Sequence, residues 1–285
     1  MVKRIEVATG ELRLSARVAG SQSDPAIVLL HGWPLSSAIW DPVLEPLGTD
    51  HFVLAFDLPG VGASTGGPAP TLKSEIADAV ISAAESLGAR DMMIAGVDVG
   101  GMVAFSAARD HGQRIASAAI MNTVIPGVEP WETILANPHI WHFAFHQIPA
   151  LPETLVSGRE RAYFDFFFDF LAGDKAKVDG RLRQEMVDAY ASPHALTTGF
   201  DWYRAMPRDA ERNRQATTID TPVLYLRGDA DGRSIQPYLD GLAKVGAKRL
   251  KGNVVARSGE ILSIEAPESL VVVLRAFARE ARLPA

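Results

Sequence analysis

Over the first 125 residues, short apolar runs alternate with longer segments whose apolar residues recur every three or four positions. The alternating stretch IEVATGELRLSARVAG predicts a hairpin, and AIVLLHG, HFVLAFDLPG, DMMIAGV and IASAAIMNTV predict buried strands. Between them, TLKSEIADAVISAAESLGA and GMVAFSAARDHG carry the helical period. Unbroken apolar runs separated by helices predict a mainly parallel sheet covered on both faces, an α/β architecture. After residue 125 the texture changes to aromatic, proline-punctuated segments with helical spacing. Strand-like pattern returns only at TPVLYLRGDADG and KRLKGNVVARSGE, ahead of a closing helix in PESLVVVLRAFAREARL. The expected organisation is therefore a core of residues 1–125 and 216–285, interrupted by a helical cap at 126–215, a lid-sized insertion.

Composition narrows the functional classes. With 285 residues, 47% of them hydrophobic, the chain is long enough to bury a large core. A net charge of −6 with well-mixed signs gives no basic stripe for nucleic acid and no polybasic segment for anionic lipid. No apolar stretch approaches a membrane span, and the first residues lack a signal-peptide core, so a cytoplasmic location is the expectation. The absence of cysteine removes a disulfide framework, a thiolate nucleophile and thiolate-ligated zinc together.

The chemistry concentrates at GVDVGG, residues 96–101, where a predicted strand turns directly into a helix. A G-x-nucleophile-x-G turn projects its central side chain over the carboxyl ends of a parallel sheet, where ligands of such sheets bind. Asp98 is that central residue, and Gly96, Gly100 and Gly101 remove side chains that would collide as strand and helix converge.

With HGWP (31–34) ending an earlier strand, DLPGVGAS (57–64) ending the next, and LRGDADG (226–232) later, the whole chain resembles the α/β-hydrolase fold superfamily. Within it, the chain is similar to the epoxide hydrolase and dehalogenase branch, which uses an aspartate nucleophile. The resemblance implies that Asp98 attacks the substrate to form a covalent ester, with the backbone N–H groups of Trp33 and Val99 as oxyanion hole. Pro34 after H-G-x is typical of epoxide hydrolases. The residue after the nucleophile is Val99, where haloalkane dehalogenases usually carry a halide-gripping Trp. The cap stretches WHFAFHQIPALPETLVSGRER and FDWYRAMPRD resemble epoxide hydrolase caps, whose ring-opening donors are usually two tyrosines. Tyr203 matches the second. Trp141 or His142 stands at the first, and His142 is favoured because imidazole is the better proton donor.

One position departs from the family. Its G-H-x-x-x-x-E-x-P motif appears as GEILSIEAP, with Glu265 and Pro267 in register and Glu260 in place of the histidine. His194 is the last histidine of the chain, so no shift of register restores it. Asp231, the acid that would orient that histidine, would instead face a second carboxylate, and such a pair shares a proton with one pKa raised. Three readings remain open: an epoxide hydrolase-like enzyme whose water is activated by Glu260 with Asp231; related chemistry such as dehalogenation, ester or lactone hydrolysis, or another ring opening; and a slow or inactive ligand-binding homologue. Fold alone does not choose among them.

The remaining features refine the expected ligand. Cap aromatics including Trp141, Phe145 and Trp202, with Asn122 at the end of a strand, are the expected substrate contacts, favouring a small, apolar or aromatic epoxide-type ligand. The cap histidines lack the partners of a metal site, and no G-x-G-x-x-G follows the first strand, so neither metal nor dinucleotide cofactor is expected. His31 is expected to brace the oxyanion loop. Neither a nucleic acid nor a membrane is an expected partner, and a homodimer is compatible with the sequence.

Overall fold

Nine strands form one sheet in the computed structural model, which describes residues 2–215, 218–230 and 232–282. They are β1 (Lys3–Thr9), β2 (Leu12–Ala19), β3 (Ala26–Leu30), β4 (Phe52–Phe56), β5 (Thr65–Gly66), β6 (Met93–Val97), β7 (Ser117–Met121), β8 (Val223–Gly228) and β9 (Leu250–Val255). The order is β1-β2-β4-β3-β6-β7-β8-β9, with the two-residue β5 paired to β2. The pairs of β2 with β1, β4 and β5 are antiparallel, and every pair from β4 to β9 is parallel. Residues of β3, β4, β6, β7 and β8 are buried throughout, as unbroken apolar runs require when both faces of a sheet are covered. β9, by contrast, is an edge strand with four exposed residues in succession.

Seven helices position the site: α1 (Lys73–Ser86) and α2 (Val99–Asp110) in the core; α3 (Trp141–Gln147), α4 (Glu160–Leu171), α5 (Pro193–Arg204) and α6 (Met206–Arg214) between β7 and β8; and α7 (Pro267–Ala281) at the end. The chain between Met121 and Val223 contributes no strand among the described residues. It packs as a helical layer over the carboxyl ends of the strands, where Phe164, Phe167, Phe168, Phe200 and Tyr203 are all buried. Among the described residues, no helix is long and apolar enough to cross a membrane.

The strand order reverses direction between β3 and β6. At such a switch point the loops leaving two neighbouring strands diverge and open a crevice. Here those loops are Gly32–Pro34 after β3 and the Asp98 turn after β6, brought level by the pairing of Leu30 with Gly96. The turn is tight enough to require glycine: a Cβ on Gly96 would lie 2.1 Å from the Gly100 oxygen, and one on Gly100 would lie 2.4 Å from the Leu30 oxygen. Both obstacles are backbone, so relief would have to part β6, α2 and β3. Gly100→Ala is accordingly expected to lower the unfolding free energy by about 3 kcal/mol or more, measured by urea denaturation against Gly180→Ala, an exposed position where a Cβ meets nothing within 4 Å, as control.

Candidate active site

Asp98 occupies the elbow with φ 52° and ψ −122°, a conformation that costs a non-glycine residue about 1–3 kcal/mol. The strain turns its carboxylate back over the sheet edge, where Oδ1 accepts a hydrogen bond from the Trp33 N–H at 2.7 Å. Burial raises the carboxyl to a pKa of about 6; the Trp33 and Val99 amides and the charge of Lys73 pull against that rise. Both amides expected as the oxyanion hole therefore already donate to the Asp98 carboxylate. A side chain at Gly32 would exclude this arrangement, because its Cβ would lie 2.3 Å from Asp98 Oδ1.

His31 braces the loop as expected. Its Nδ1 lies 2.9 Å from the Gly32 oxygen, and its Nε2 accepts from the Leu58 N–H at 3.0 Å. These two partners fix a neutral ring with the proton on Nδ1, and complete burial lowers its pKa further. The Tyr190 hydroxyl donates to the Leu35 oxygen at 3.0 Å from above. Trp33 is clasped by cap rings, with His146 at 4.4 Å and Phe167 at 4.8 Å between centroids, both edge-on.

A cavity of about 390 Å³ opens over Asp98, and its walls include Trp33, His142, Tyr203 and Glu260. Helical geometry decides which cap aromatics reach it. His142 and His146 share the inward face of α3, whereas Trp141 and Phe145 share the outward one, and Trp141 is 42% exposed. Of the two candidates for the first ring-opening group, only His142 lines the cavity. Burial depresses its pKa to about 4, so at neutral pH it is an uncharged hydrogen-bonding group. On α5, Tyr203 faces the cavity and adjacent Trp202 turns into the core towards His31, at 6.3 Å between centroids. Trp141, Phe145 and Trp202, expected as substrate contacts, do not border the cavity; besides His142, its aromatic lining comes from Trp33, Phe143, Phe167, Phe170, Tyr203 and Tyr238.

Glu260 lines the same cavity, on a loop tied down at every turn. Its N–H donates to the Leu171 oxygen at the end of α4 at 2.9 Å, and its carbonyl accepts from the Asn122 amide at 2.8 Å. Asn122 also donates to the Gly259 oxygen at 3.2 Å and accepts from the Gly228 N–H at 3.0 Å. It borders the cavity as expected of a substrate contact, and its amide joins the ends of β7 and β8 to the Glu260 loop. Glu265, 2% exposed, was read from the sequence as a motif position without a task. Its carboxylate accepts from the N–H groups of Gly259 at 3.0 Å, Ile261 at 3.2 Å and Asp174 at 2.9 Å. A lone acid within the apolar ILSIEAP is the signal that marks such a buried brace. Asp231, expected to pair with Glu260, lies outside the described residues.

The α/β hydrolase fold family model matches residues 25–260. The chain belongs to the α/β hydrolase fold family. This α/β hydrolase is 26% identical over 260 residues to the pimeloyl-[acyl-carrier protein] methyl ester esterase of Edwardsiella ictaluri, spanning 88% of this chain and 92% of that protein. It is 28% identical over 239 residues to epoxide hydrolase 4 of Mus musculus, spanning 80% of this chain and 65% of that protein. Among solved structures it superposes on Cfl2 of Burkholderia cenocepacia with TM-score 0.88 at 27% identity, covering 98% of this chain and 96% of the other. On the epoxide hydrolase CorEH the TM-score is 0.86 at 22% identity, covering 99% and 100% of the two chains, a likeness of fold.

The burial of the Asp98 carboxyl has a thermodynamic consequence. Between pH 3.8, the ordinary aspartate value, and about 6, the native chain keeps a proton that the unfolded chain has released. Stability therefore falls as pH rises through this window, and the deficit reaches about 3 kcal/mol above it. Asn can adopt the same positive-φ turn without the charge. Asp98→Asn is expected to be the more stable protein at pH 8, by up to about 3 kcal/mol, with the difference closing near pH 4; paired urea titrations at the two pH values measure it.

Proposed function

We propose that this α/β hydrolase opens an epoxide by attack of Asp98 and hydrolyses the resulting ester with water activated by Glu260. The observation that carries the reading is that Asp98, His142, Tyr203 and Glu260 all border one cavity. In the first step, the Asp98 oxygen not held by Trp33 bonds to a ring carbon and the carbon–oxygen bond breaks. The ring oxygen takes the Tyr203 proton, with His142 as second hydrogen-bond partner. In the second, Glu260 takes a proton from water as that water adds to the Asp98 carbonyl carbon. The oxyanion is held by the amides of Trp33 and Val99. Collapse expels the diol oxygen, which takes the proton from Glu260, and the regenerated Asp98 acid returns its own proton to the Tyr203 oxygen.

The identity of the nucleophile favours this substrate class. A carboxylate attacking a strained ring carbon gives a stable ester, and ring strain drives the step. The same carboxylate attacking an ester carbonyl gives an anhydride, which is less stable than the ester consumed. Methyl ester hydrolysis, named for the relative from Edwardsiella ictaluri, is the second reading. On this site it requires Asp98 or Glu260 to act as a base on water.

Incubation with styrene oxide should yield phenylethanediol, and Asp98→Asn should abolish it. Glu260→Gln should leave one substrate mass on the peptide containing residue 98, with turnover about 10²- to 10⁴-fold lower, read by intact-protein and peptide mass spectrometry. Diol formation by Glu260→Gln at the unmodified rate would reject Glu260 as the base; hydrolysis of a methyl ester with no adduct from any epoxide would favour the second reading. Because attack needs ionised Asp98, adduct formation is expected to fall about tenfold per pH unit below pH 6, measured by stopped-flow or quench on the Gln variant.

A further inference from the structure

Lys73, the first residue of α1, is 1% exposed. Burying an ammonium group costs several kcal/mol unless it is paired and hydrogen-bonded. The partners come from the cap: Asp209 of α6, itself 5% exposed, places Oδ2 3.0 Å from Lys73 Nζ, and the Trp202 carbonyl in the last turn of α5 accepts a hydrogen bond from Nζ. The second Asp209 oxygen accepts the Lys73 backbone N–H at 3.1 Å.

These contacts cap two helices reciprocally. The residue preceding α1 is Leu72, whose side chain makes no capping bond, so a buried donor at that helix start, the Lys73 N–H, is satisfied across the core–cap boundary by Asp209. α5 ends where Pro207 lacks the amide that would continue it, and its unpaired carbonyls present negative potential. Lys73 answers that potential at Trp202, one residue before Tyr203. Of the ion pair, the lysine is the member whose charge bears on Asp98. The other groups facing Asp98 are the amides of Trp33 and Val99, the buried hydroxyls of Tyr190 and Tyr203, which stay protonated, and His142 and Glu260 in the shared cavity.

We propose that Lys73 is a positioning residue of the active site: it clamps the turn of α5 that carries Tyr203 and supplies the positive field under which buried Asp98 stays ionised. The field part stands independently of the substrate; the part concerning Tyr203 as proton donor rests on the epoxide reading above.

The test is an NMR titration of ¹³C-carboxyl-labelled aspartate in the full chain, with the Asp98 signal assigned by its loss in Asp98→Asn. In Lys73→Met the ionisation midpoint of Asp98 should move up, and Lys73→Arg should restore most of the shift. If Lys73→Met does not fold, the double variant Lys73→Met/Asp209→Leu removes both charges and leaves no unpaired ion in the core; the same upward shift is expected there. A midpoint unchanged from wild type in either folded protein overturns the proposal. On a Glu260→Gln background, Lys73→Gln should slow adduct formation at saturating styrene oxide about tenfold while the half-saturating concentration changes less than threefold. An upward shift without any adduct in the parent protein would defeat the epoxide reading and leave the role of Lys73 in the field intact.

Discussion

The constraint on which the site depends is a carboxylate removed from water at the edge of a parallel sheet. Asp98 is tolerated there because backbone amides, which carry no net charge and cannot relax away, point at it from two directions. In the proposed reaction the same amides would hold the oxygen of the ester intermediate, so one pair of donors would serve both the resting and the reacting state. Much of the neighbouring architecture keeps those donors in place. The glycines remove obstruction, His31 locks the loop between Gly32 and Leu58, and the cap rings enclose Trp33.

A second group of contacts joins the proposed base to the cap. The Glu260 loop is bonded to the end of α4 through Leu171, while Glu265 gathers amides from the loop and from Asp174, and Lys177 Nζ donates to the Glu265 carbonyl at 2.6 Å. A carboxylate with three backbone donors is well satisfied despite burial. Glu265 thereby gives Glu260 a defined backbone on which a side chain shorter or longer than the usual histidine can be presented.

The fold was legible in the sequence because its determinants are periodic or confined to short turns. Apolar runs gave the central strands, the GVDVGG spacing marked the elbow, and HGWP marked the opposing loop. What escaped was information carried by side-chain direction and by contacts between distant segments. Adjacent residues on one helix point about 100° apart, so the aromatic richness of WHFAFH and FDWYR could not say that His142 and Tyr203 face inward while Trp141 and Trp202 do not. The amide of Asn122 is claimed by β8 and by a loop more than 130 residues away. Lys73 did leave a trace: it falls on the stripe with Ile76, Ala77 and Val80, at offsets of three, four and seven, where an apolar residue is the norm. β9 read like the other strands, yet runs along the exposed edge.

The distribution of ties between cap and core is uneven. Along α4, the Glu265 junction and α6, the bonds are buried and involve main chain or a desolvated ion pair. The stretch leading into α3 starts from a buried anchor, with Val128 and Trp131 in the core and the Asn213 amide donating to the Pro126 oxygen at 2.8 Å, and adds the exposed ion pairs Glu132 with Arg214 and Glu129 with Lys244. Such pairs contribute about 0–1 kcal/mol and weaken with salt. Ile134 and Ile140 border the cavity from the half-buried and exposed residues that follow Trp131, so one wall of the pocket hangs from a single inner anchor while the opposite wall is stitched to main chain along its length.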